Sequence, residues 1–291
     1  MPTLQIILGP TAVGKTDYAI AAARRAGSPV VSCDSRQVYR EMRIGTARPT
    51  DAQLAAVPHY FIADRSVTEP LSAGQYEIEA LALLERLFRN HGTVVMAGGS
   101  GLYIDALCNG LDDFPEADPG LREELSRRLR EEGVASLRRE LAVLDPETYA
   151  VIDPANGQRI VRALEVTIAT GRKYSSFKTN PAKARPFSIE KTGLTRPRPD
   201  LYARIDARVD AMMAEGLLEE ARSLLPHRDL PALNTVGYRE LFGYFDGLYD
   251  LAEAVRLIKR NTRHYAKKQL TWWGRDPSIH WIELPAGTCA H

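Results

Sequence analysis

The octapeptide Gly9-Pro10-Thr11-Ala12-Val13-Gly14-Lys15-Thr16 constrains this chain more than any other stretch. It lies between the apolar run Leu4-Gln5-Ile6-Ile7-Leu8 and the run Tyr18-Ala19-Ile20-Ala21-Ala22-Ala23. It matches G-x-x-x-x-G-K-[ST] in the context that pattern requires, a buried strand feeding a loop that opens a helix. Gly9 and Gly14 let the backbone curl so that successive N–H groups face one concavity, where the helix N-terminus adds its positive end and Lys15 a full charge. The Thr16 hydroxyl is then placed to complete a Mg²⁺ shell, which takes few protein oxygens beside phosphate oxygens and water. The pattern leaves open which phosphorylated compound the loop holds.

A second apolar run, Pro29-Val30-Val31-Ser32-Cys33, ends at Asp34-Ser35. A strand–helix–strand unit implies a parallel sheet with a right-handed crossover and ligands at the carboxyl ends of the strands, so Asp34 shares a rim with the phosphate loop. The pattern predicts a strand over His59–Asp64, a helix over Ser72–Asn90 and a strand over Thr93–Ala97, which runs into the glycine-rich turn Gly98-Gly99-Ser100-Gly101-Leu102-Tyr103. The expected fold is α/β, a P-loop NTPase-like parallel sheet flanked by helices.

From Asp112 the strand pattern stops. Asp118-Pro119 reads as an N-cap with proline at the first helical position, opening a charged helix to Glu132. Further helices are predicted over Val134–Leu144, Glu147–Ile152 and Gln158–Thr170, with Gly171 as a C-terminal stop. Residues 112–185 are therefore expected to form an all-helical inserted subdomain, with short joints near Pro115 and Pro181 that suit a swinging unit, and 1–111 with 186–291 to form the core domain. In that second segment the reading is a strand over Phe187–Leu194, helices over Arg198–Met213, Leu217–Leu225 and Leu251–Trp273, and a last strand over Ile279–Leu284.

With 44% hydrophobic and 26% charged residues over 291 positions, the chain has the composition of a globular protein. No stretch approaches the roughly 20 apolar residues of a membrane helix, and no secretory leader is read at the N-terminus, so the expected location is cytoplasmic. Cys33, Cys108 and Cys289 lie far apart without a C-x-x-C pair, which argues against a disulfide framework or zinc site. The net charge of +1 is unevenly spread: residues 1–157 carry 16 basic and 22 acidic side chains, residues 158–291 carry 22 and 15. The second half favours a polyanionic partner.

Asp34 is the leading acid or base, since a carboxylate at this strand end can bind a metal or take a proton from a nucleophile. The competing reading is a turn cap, its carboxylate on backbone N–H groups. Asp64, at the end of another predicted strand, is the rival. Arg204, in Leu201-Tyr202-Ala203-Arg204-Ile205-Asp206, reads by spacing as a solvated helix face rather than a phosphate clamp. Between residues 158 and 208 there are 12 basic and four acidic side chains, an excess suited to a nucleic-acid backbone. The last long helix places Arg256, Lys259 or Arg260, Arg263 and Lys267 on one face, with Tyr265, Trp272 and Trp273 available for stacking on single-stranded nucleic acid.

These stretches resemble the bacterial tRNA dimethylallyltransferases, also called tRNA isopentenylpyrophosphate transferases, over nearly the full chain. The likeness rests on Gly9 to Thr16, Asp34-Ser35-Arg36-Gln37-Val38-Tyr39 with Ile44-Gly45-Thr46-Ala47-Arg48-Pro49, Pro58-His59-Tyr60, Gly98 to Tyr103, Asn156-Gly157-Gln158-Arg159-Ile160-Val161-Arg162-Ala163-Leu164-Glu165, Thr235-Val236-Gly237-Tyr238-Arg239-Glu240, and Ala266-Lys267-Lys268-Gln269-Leu270-Thr271-Trp272. The phosphate loop alone is common to many nucleotide-binding proteins; the second, fifth and sixth stretches in this order are far more specific.

The resemblance implies that the loop holds the diphosphate of dimethylallyl diphosphate and that the allyl group passes to the exocyclic amine of the adenosine 3′ of the tRNA anticodon. It implies Asp34 as general base and Arg204 as a catalytic diphosphate contact, against the spacing-only reading. Gly9, Pro10, Thr11, Ala12, Val13, Gly14, Lys15, Thr16 and Ser100 become substrate contacts, and Thr16 a Mg²⁺ ligand. Ser100 stands where many members carry threonine, with the hydroxyl kept. The implied contacts with the tRNA anticodon stem-loop are Asp34, Ser35, Arg36, Gln37, Ser100, Arg122, Gln158, Arg159, Ile160, Val161, Arg162, Asn234, Thr235, Val236, Gly237, Tyr238, Arg239, Lys267, Lys268, Gln269, Leu270, Thr271, Trp272, Trp273 and Gly274. The expected partners are that tRNA and dimethylallyl diphosphate, with Mg²⁺ as cofactor, no membrane, and a monomeric enzyme. The rival readings are a P-loop small-molecule kinase, a free-adenylate isopentenyltransferase and a non-catalytic RNA-binding NTPase. The basic second half and the stretches at 158–165 and 235–240 count against the first two.

Overall fold

The apolar run that precedes the phosphate loop becomes strand β1 (Thr3–Leu8), the inner strand on which the sheet is built. The computed structural model describes residues 1–112, 114, 118–178 and 183–285. After β1 come helix α1 (Lys15–Ala26), strand β2 (Val30–Ser32), helix α2 (Asp51–Ala56), strand β3 (His59–Tyr60), helix α3 (Ala73–Leu87), strand β4 (Thr93–Gly98) and helix α4 (Gly101–Asn109). Past the helical segment, strand β5 (Ser188–Thr195) precedes helices α9 (Arg198–Ala214), α10 (Leu217–Ser223), α11 (Tyr238–Phe245) and α12 (Leu251–Trp273), and strand β6 (Ile279–Glu283). The six strands are all parallel, in the order β3-β2-β4-β1-β5-β6.

A strand covered on both faces must be apolar on both, which is why Leu4 to Leu8 reads as a nearly unbroken run. Leu4, Ile6 and Leu8 pack with Val31, Val94 and Met96 on one side, while Ile7 packs with Val30, Val95 and Leu194 on the other, against Ala19, Ile20 and Ala23 of α1. Each such side chain contributes about 1.5–3 kcal/mol over its exposed state. The mouth of β1 is thereby fixed, and with it the loop that follows.

The chain divides into two compact units, Met1–Cys108 with Ala184–His291, and Asn109–Lys183. The second unit holds α5 (Pro119–Glu131), α6 (Val134–Leu144), α7 (Pro146–Val151) and α8 (Gly157–Thr170). Its own core is Leu125, Leu137, Leu141, Ile160, Val161 and Leu164. The Asp118 carboxylate accepts from the Gly120 and Leu121 amides at 2.9 and 3.1 Å, and Gly171 ends α8 at φ 67°. The joints near Pro115 and Pro181 lie outside the described residues.

Four elements depart from the sequence reading. The strand predicted to reach Asp64 ends at Tyr60, because Phe61 and Ala63 adopt φ of 59° and 52° and turn the backbone out of the sheet. Helix α2 was absent from that reading, although its Thr50/Gln53 capping box is a local start signal. Helix α4 begins inside the segment read as a glycine-rich turn, and α11 lies between the helices predicted to end at Leu225 and to begin at Leu251. No helix among the described residues is long and apolar enough to cross a membrane.

Candidate active site

Strand β1 delivers the chain to the sheet rim between β4 and β5, and the loop that follows is shaped by close approach. Gly9 has φ 150°, and a Cβ there would lie 2.5 Å from the Leu194 carbonyl oxygen, so no side chain fits. Ala12 takes a left-handed φ of 66°. The Lys15 ammonium donates to the Gly9 and Pro10 carbonyls, each at 2.9 Å. Burial pushes its pKa down to about 8; the Asp34 carboxylate opposes that fall and the Arg208 guanidinium adds to it.

Distant residues brace the loop. Arg196, buried, donates from Nε to the Val13 carbonyl at 2.8 Å, and Arg204 donates from Nε to the Ala12 carbonyl at 3.0 Å. Gln269 of α12 accepts from the Thr11 amide at 2.8 Å and donates to the Gly99 carbonyl at 2.8 Å, tying the loop to the turn after β4. Arg208, one helical turn beyond Arg204, places Nη1 3.4 Å from the Thr11 hydroxyl. Burial and the neighbouring Arg204 hold its guanidinium below the usual arginine range. Sequence reasoning missed Arg208; Gln269, assigned to RNA contact by the family likeness, is a buried brace with a bond at each end of its amide group, and it also lines the cavity described below.

Asp34 follows β2 on the same rim. Its Oδ1 accepts from the Arg36 and Gln37 amides at 2.9 and 3.3 Å, which is the turn cap that competed with the acid–base reading. The cap occupies Oδ1 alone, and no donor among the described residues bonds Oδ2, so the cap does not exclude an acid–base role. Ser100 accepts from the Ser35 amide at 2.9 Å and donates to the Ser35 hydroxyl at 3.1 Å, so it shapes the turn beside Asp34 and does not line the cavity. Asp64, the rival, is also absent from the lining.

These groups enclose a cavity of about 340 Å³. Lys15, Thr16, Asp34, Arg204 and Arg208 give it a polar end, and Val209, Met212, Leu217, Val236 and Ile258 an apolar wall. Of the loop, Thr11, Ala12, Gly14, Lys15 and Thr16 face the cavity, while Gly9, Pro10 and Val13 shape the backbone behind it. The oxygen donors Thr16 and Asp34 suit a hard cation, and among the described residues no group of three or more His, Cys, Asp or Glu side chains gathers anywhere. A Mg²⁺ in this cavity therefore fits only with phosphate oxygens completing its shell.

The residues assigned to RNA contact divide sharply. In the core unit Arg36, Gln37, Thr235, Val236 and Gly237 line the cavity. Asn234, Arg239, Lys267, Lys268, Thr271, Trp272 and Gly274 are exposed. Tyr238 and Trp273 are buried and Leu270 is half-buried, and the Tyr238 hydroxyl donates to Glu220 at 2.7 Å. The basic stripe expected along α12 is largely neutralised: Arg256 pairs with Glu253, Lys259 with Asp210 and Arg263 with Asp206. In the helical unit Gln158 and Arg159 are exposed, whereas Ile160 and Val161 are core residues that orient α8. Arg122 and Arg162 both donate to Glu165 Oε2, at 2.7 and 3.1 Å. Arg185, Lys191 and Arg196, counted in the basic run, are likewise held by Glu77, Asp276 and Asp200.

The comparisons with known proteins agree on one family. The family model described as IPP transferase matches residues 37–276. The tRNA dimethylallyltransferase 2 of Porphyromonas gingivalis is 53% identical, covering 98% of this chain and 95% of its own length. The tRNA dimethylallyltransferase 1 of Phocaeicola vulgatus is 50% identical over 96% of this chain and 93% of its own. Among solved structures, the full-length tRNA isopentenylpyrophosphate transferase of Bacillus halodurans is 36% identical, covers 97% of this chain and 90% of its own, and superposes with a TM-score of 0.71. With the family model spanning most of the chain and relatives of this identity matching nearly end to end, the protein belongs to the IPP transferase family.

Proposed function

We propose that the protein transfers a dimethylallyl group from dimethylallyl diphosphate to the exocyclic amine of the adenosine 3′-adjacent to a tRNA anticodon, giving isopentenyladenosine and diphosphate. The observation that carries this is the composition of the cavity: a phosphate loop ringed by Lys15, Arg204 and Arg208, a carboxylate on the same rim, and an apolar wall between Val209 and Ile258. A nucleotide kinase needs no such wall; a five-carbon allyl group does. The names of the relatives, which act on tRNA, supply the acceptor class.

The chemistry follows from the charges. The amine nitrogen attacks the allylic carbon, the C–N bond forms as the C–O bond to diphosphate breaks, and the leaving group departs with the electron pair. Its growing charge meets Lys15, Arg204, Arg208 and the loop amides in a desolvated site, where fixed cations act far more strongly than in water. Thr16 with diphosphate oxygens would hold Mg²⁺, which supplies further charge stabilisation to the leaving group. The adenine amine has a delocalised lone pair, so the proton it sheds goes to Asp34, whose Oδ1 is fixed by two amides while Oδ2 takes the proton. The acceptor base must leave the anticodon-loop stack to enter the cavity, and exposed Lys267, Lys268, Trp272 and Arg239 of the core unit are suited to hold RNA meanwhile. We place this work in the cytoplasm, by a monomer.

The test is incubation with dimethylallyl diphosphate, Mg²⁺ and unmodified tRNA, with digestion to nucleosides. Isopentenyladenosine is expected; ATP hydrolysis without a prenylated base overturns the proposal.

A further inference from the structure

Glu220 of α10 carries a carboxylate with four donors on it and no partner among the described basic side chains. Oε2 accepts from the Arg43 and Ile44 amides at 2.9 and 2.7 Å, and Oε1 from the Gly45 amide and the Tyr238 hydroxyl at 2.9 and 2.7 Å. Three consecutive N–H groups converging on one anion form a backbone nest, here filled by the protein's own side chain. The approach is tight: a Cβ on Gly45 would come within 2.6 Å of the Tyr238 ring.

The loop so held is a wall of the cavity, through Gly45, Thr46 and Ala47. Its carbonyls reach Asp34 through one side chain. Gln37 Nε2 donates to the Thr46 and Ala47 carbonyls, both at 3.1 Å, and the Gln37 amide donates to Asp34 Oδ1 at 3.3 Å. Ala47 is held at φ 50°, a conformation an alanine keeps only where its surroundings impose it. We infer that Glu220 is a positioning residue for the Asp34 carboxylate, acting through the 43–47 loop and Gln37. This rests on Asp34 as the proton acceptor.

The physical reason is that Oδ1 has two amides and no side-chain donor to fix it. If the loop relaxes, Gln37 loses its two anchors and one of those amides drifts. A misplacement of this kind near the reacting atoms costs rate out of proportion to the bonds lost. Glu220→Gln keeps the volume but turns one acceptor oxygen into an NH₂ facing donors, which loosens the nest.

The experiment measures single-turnover transfer at saturating dimethylallyl diphosphate and tRNA for Glu220→Gln, Asp34→Asn and the double variant, with the melting temperature of each. The expected result is a rate at least tenfold lower for Glu220→Gln with cooperative melting retained, and a double variant no slower than Asp34→Asn alone, since residues acting as one unit do not lose rate multiplicatively. A wild-type rate per folded molecule in Glu220→Gln, or losses that multiply, overturns the inference. Asp34→Asn at wild-type rate instead sinks the proton-acceptor assignment itself, a separate outcome. Should Glu220→Gln not fold, Tyr238→Phe, which removes one of the four bonds, is read in the same cycle and decides by the same criteria.

Discussion

Gln269 and Thr11 lie 258 positions apart and are joined by a hydrogen bond of 2.8 Å, from the Thr11 amide to the Gln269 side-chain oxygen. The other end of the same amide group donates to Gly99, so one side chain of α12 sets the spacing between two glycine-rich strand ends. Gln269→Leu fills the space but leaves a buried N–H and a carbonyl unpaired. At about 1 kcal/mol or more for each, the expected loss is about 2 kcal/mol of stability, with KM for dimethylallyl diphosphate raised about tenfold and kcat less affected. Thermal melts and steady-state kinetics on the donor check both halves.

A pH dependence follows from Lys15. Its ammonium is held down to about 8 in the free protein, against 10.5 ordinarily, chiefly by burial. On the proposed function the charged form is the one that binds diphosphate, and an adjacent diphosphate in turn favours that form. Donor affinity should therefore be level below pH 8 and fall above it, approaching tenfold per pH unit. Binding at pH 8 should take up about half a proton, readable as a dependence of the calorimetric heat on buffer ionisation enthalpy. Lys15→Met should bind weakly and abolish both effects; an unchanged pH profile in that variant removes Lys15 as their source.

What was legible in the chain was local. The phosphate loop, the strand feeding it and Asp34 at the next strand end are read from contiguous residues, because strand, loop and helix each obey a short-range pattern. Arg208 and Glu220 were not, since each meets residues some 170 to 200 positions away and nothing nearby marks the meeting. A weaker signal existed for both arginines: Arg204 and Arg208 stand four apart on α9 and so share a face. For Gln269 the signal was its place among buried Ala266 and Trp273, at three- and four-residue steps, a stripe pointing inward. The family likeness groups it with its exposed neighbours Lys267 and Lys268, from which its burial sets it apart.

Arg208 has no ion-pair partner among the described residues, and its charge is disfavoured by burial and by Arg204. Such a cation is costly to keep unless an anion enters the cavity. Arg208→Met should lower kcat/KM about 100-fold, the scale of removing one donor to a developing charge. It should also raise the Lys15 pKa, because Arg208 is one of the causes of its fall. The alkaline limb of the donor-affinity profile should accordingly move to higher pH, a shift that a mere folding defect would not produce.

In the helical unit, Glu165 is 1% exposed and accepts from two arginines that the family likeness assigns to tRNA. Arg122 and Arg162 are thus not free to search for phosphates; one buried carboxylate aims both. Removing it by Glu165→Gln leaves two partly exposed guanidinium groups around a neutral amide, with an expected stability loss of about 2 kcal/mol, the scale of hydrogen bonds to a charged group. Local positive charge rises by one, so non-specific RNA should bind more tightly and with a steeper salt dependence. The cognate anticodon stem-loop should nevertheless bind more weakly at 150 mM salt, because arginines that contact phosphates in one register gain from being held there. Fluorescence anisotropy with cognate and scrambled stem-loops across a salt series separates the two effects. Equal tightening for both RNAs would mean that Glu165 only packs the helix and does not aim the arginines.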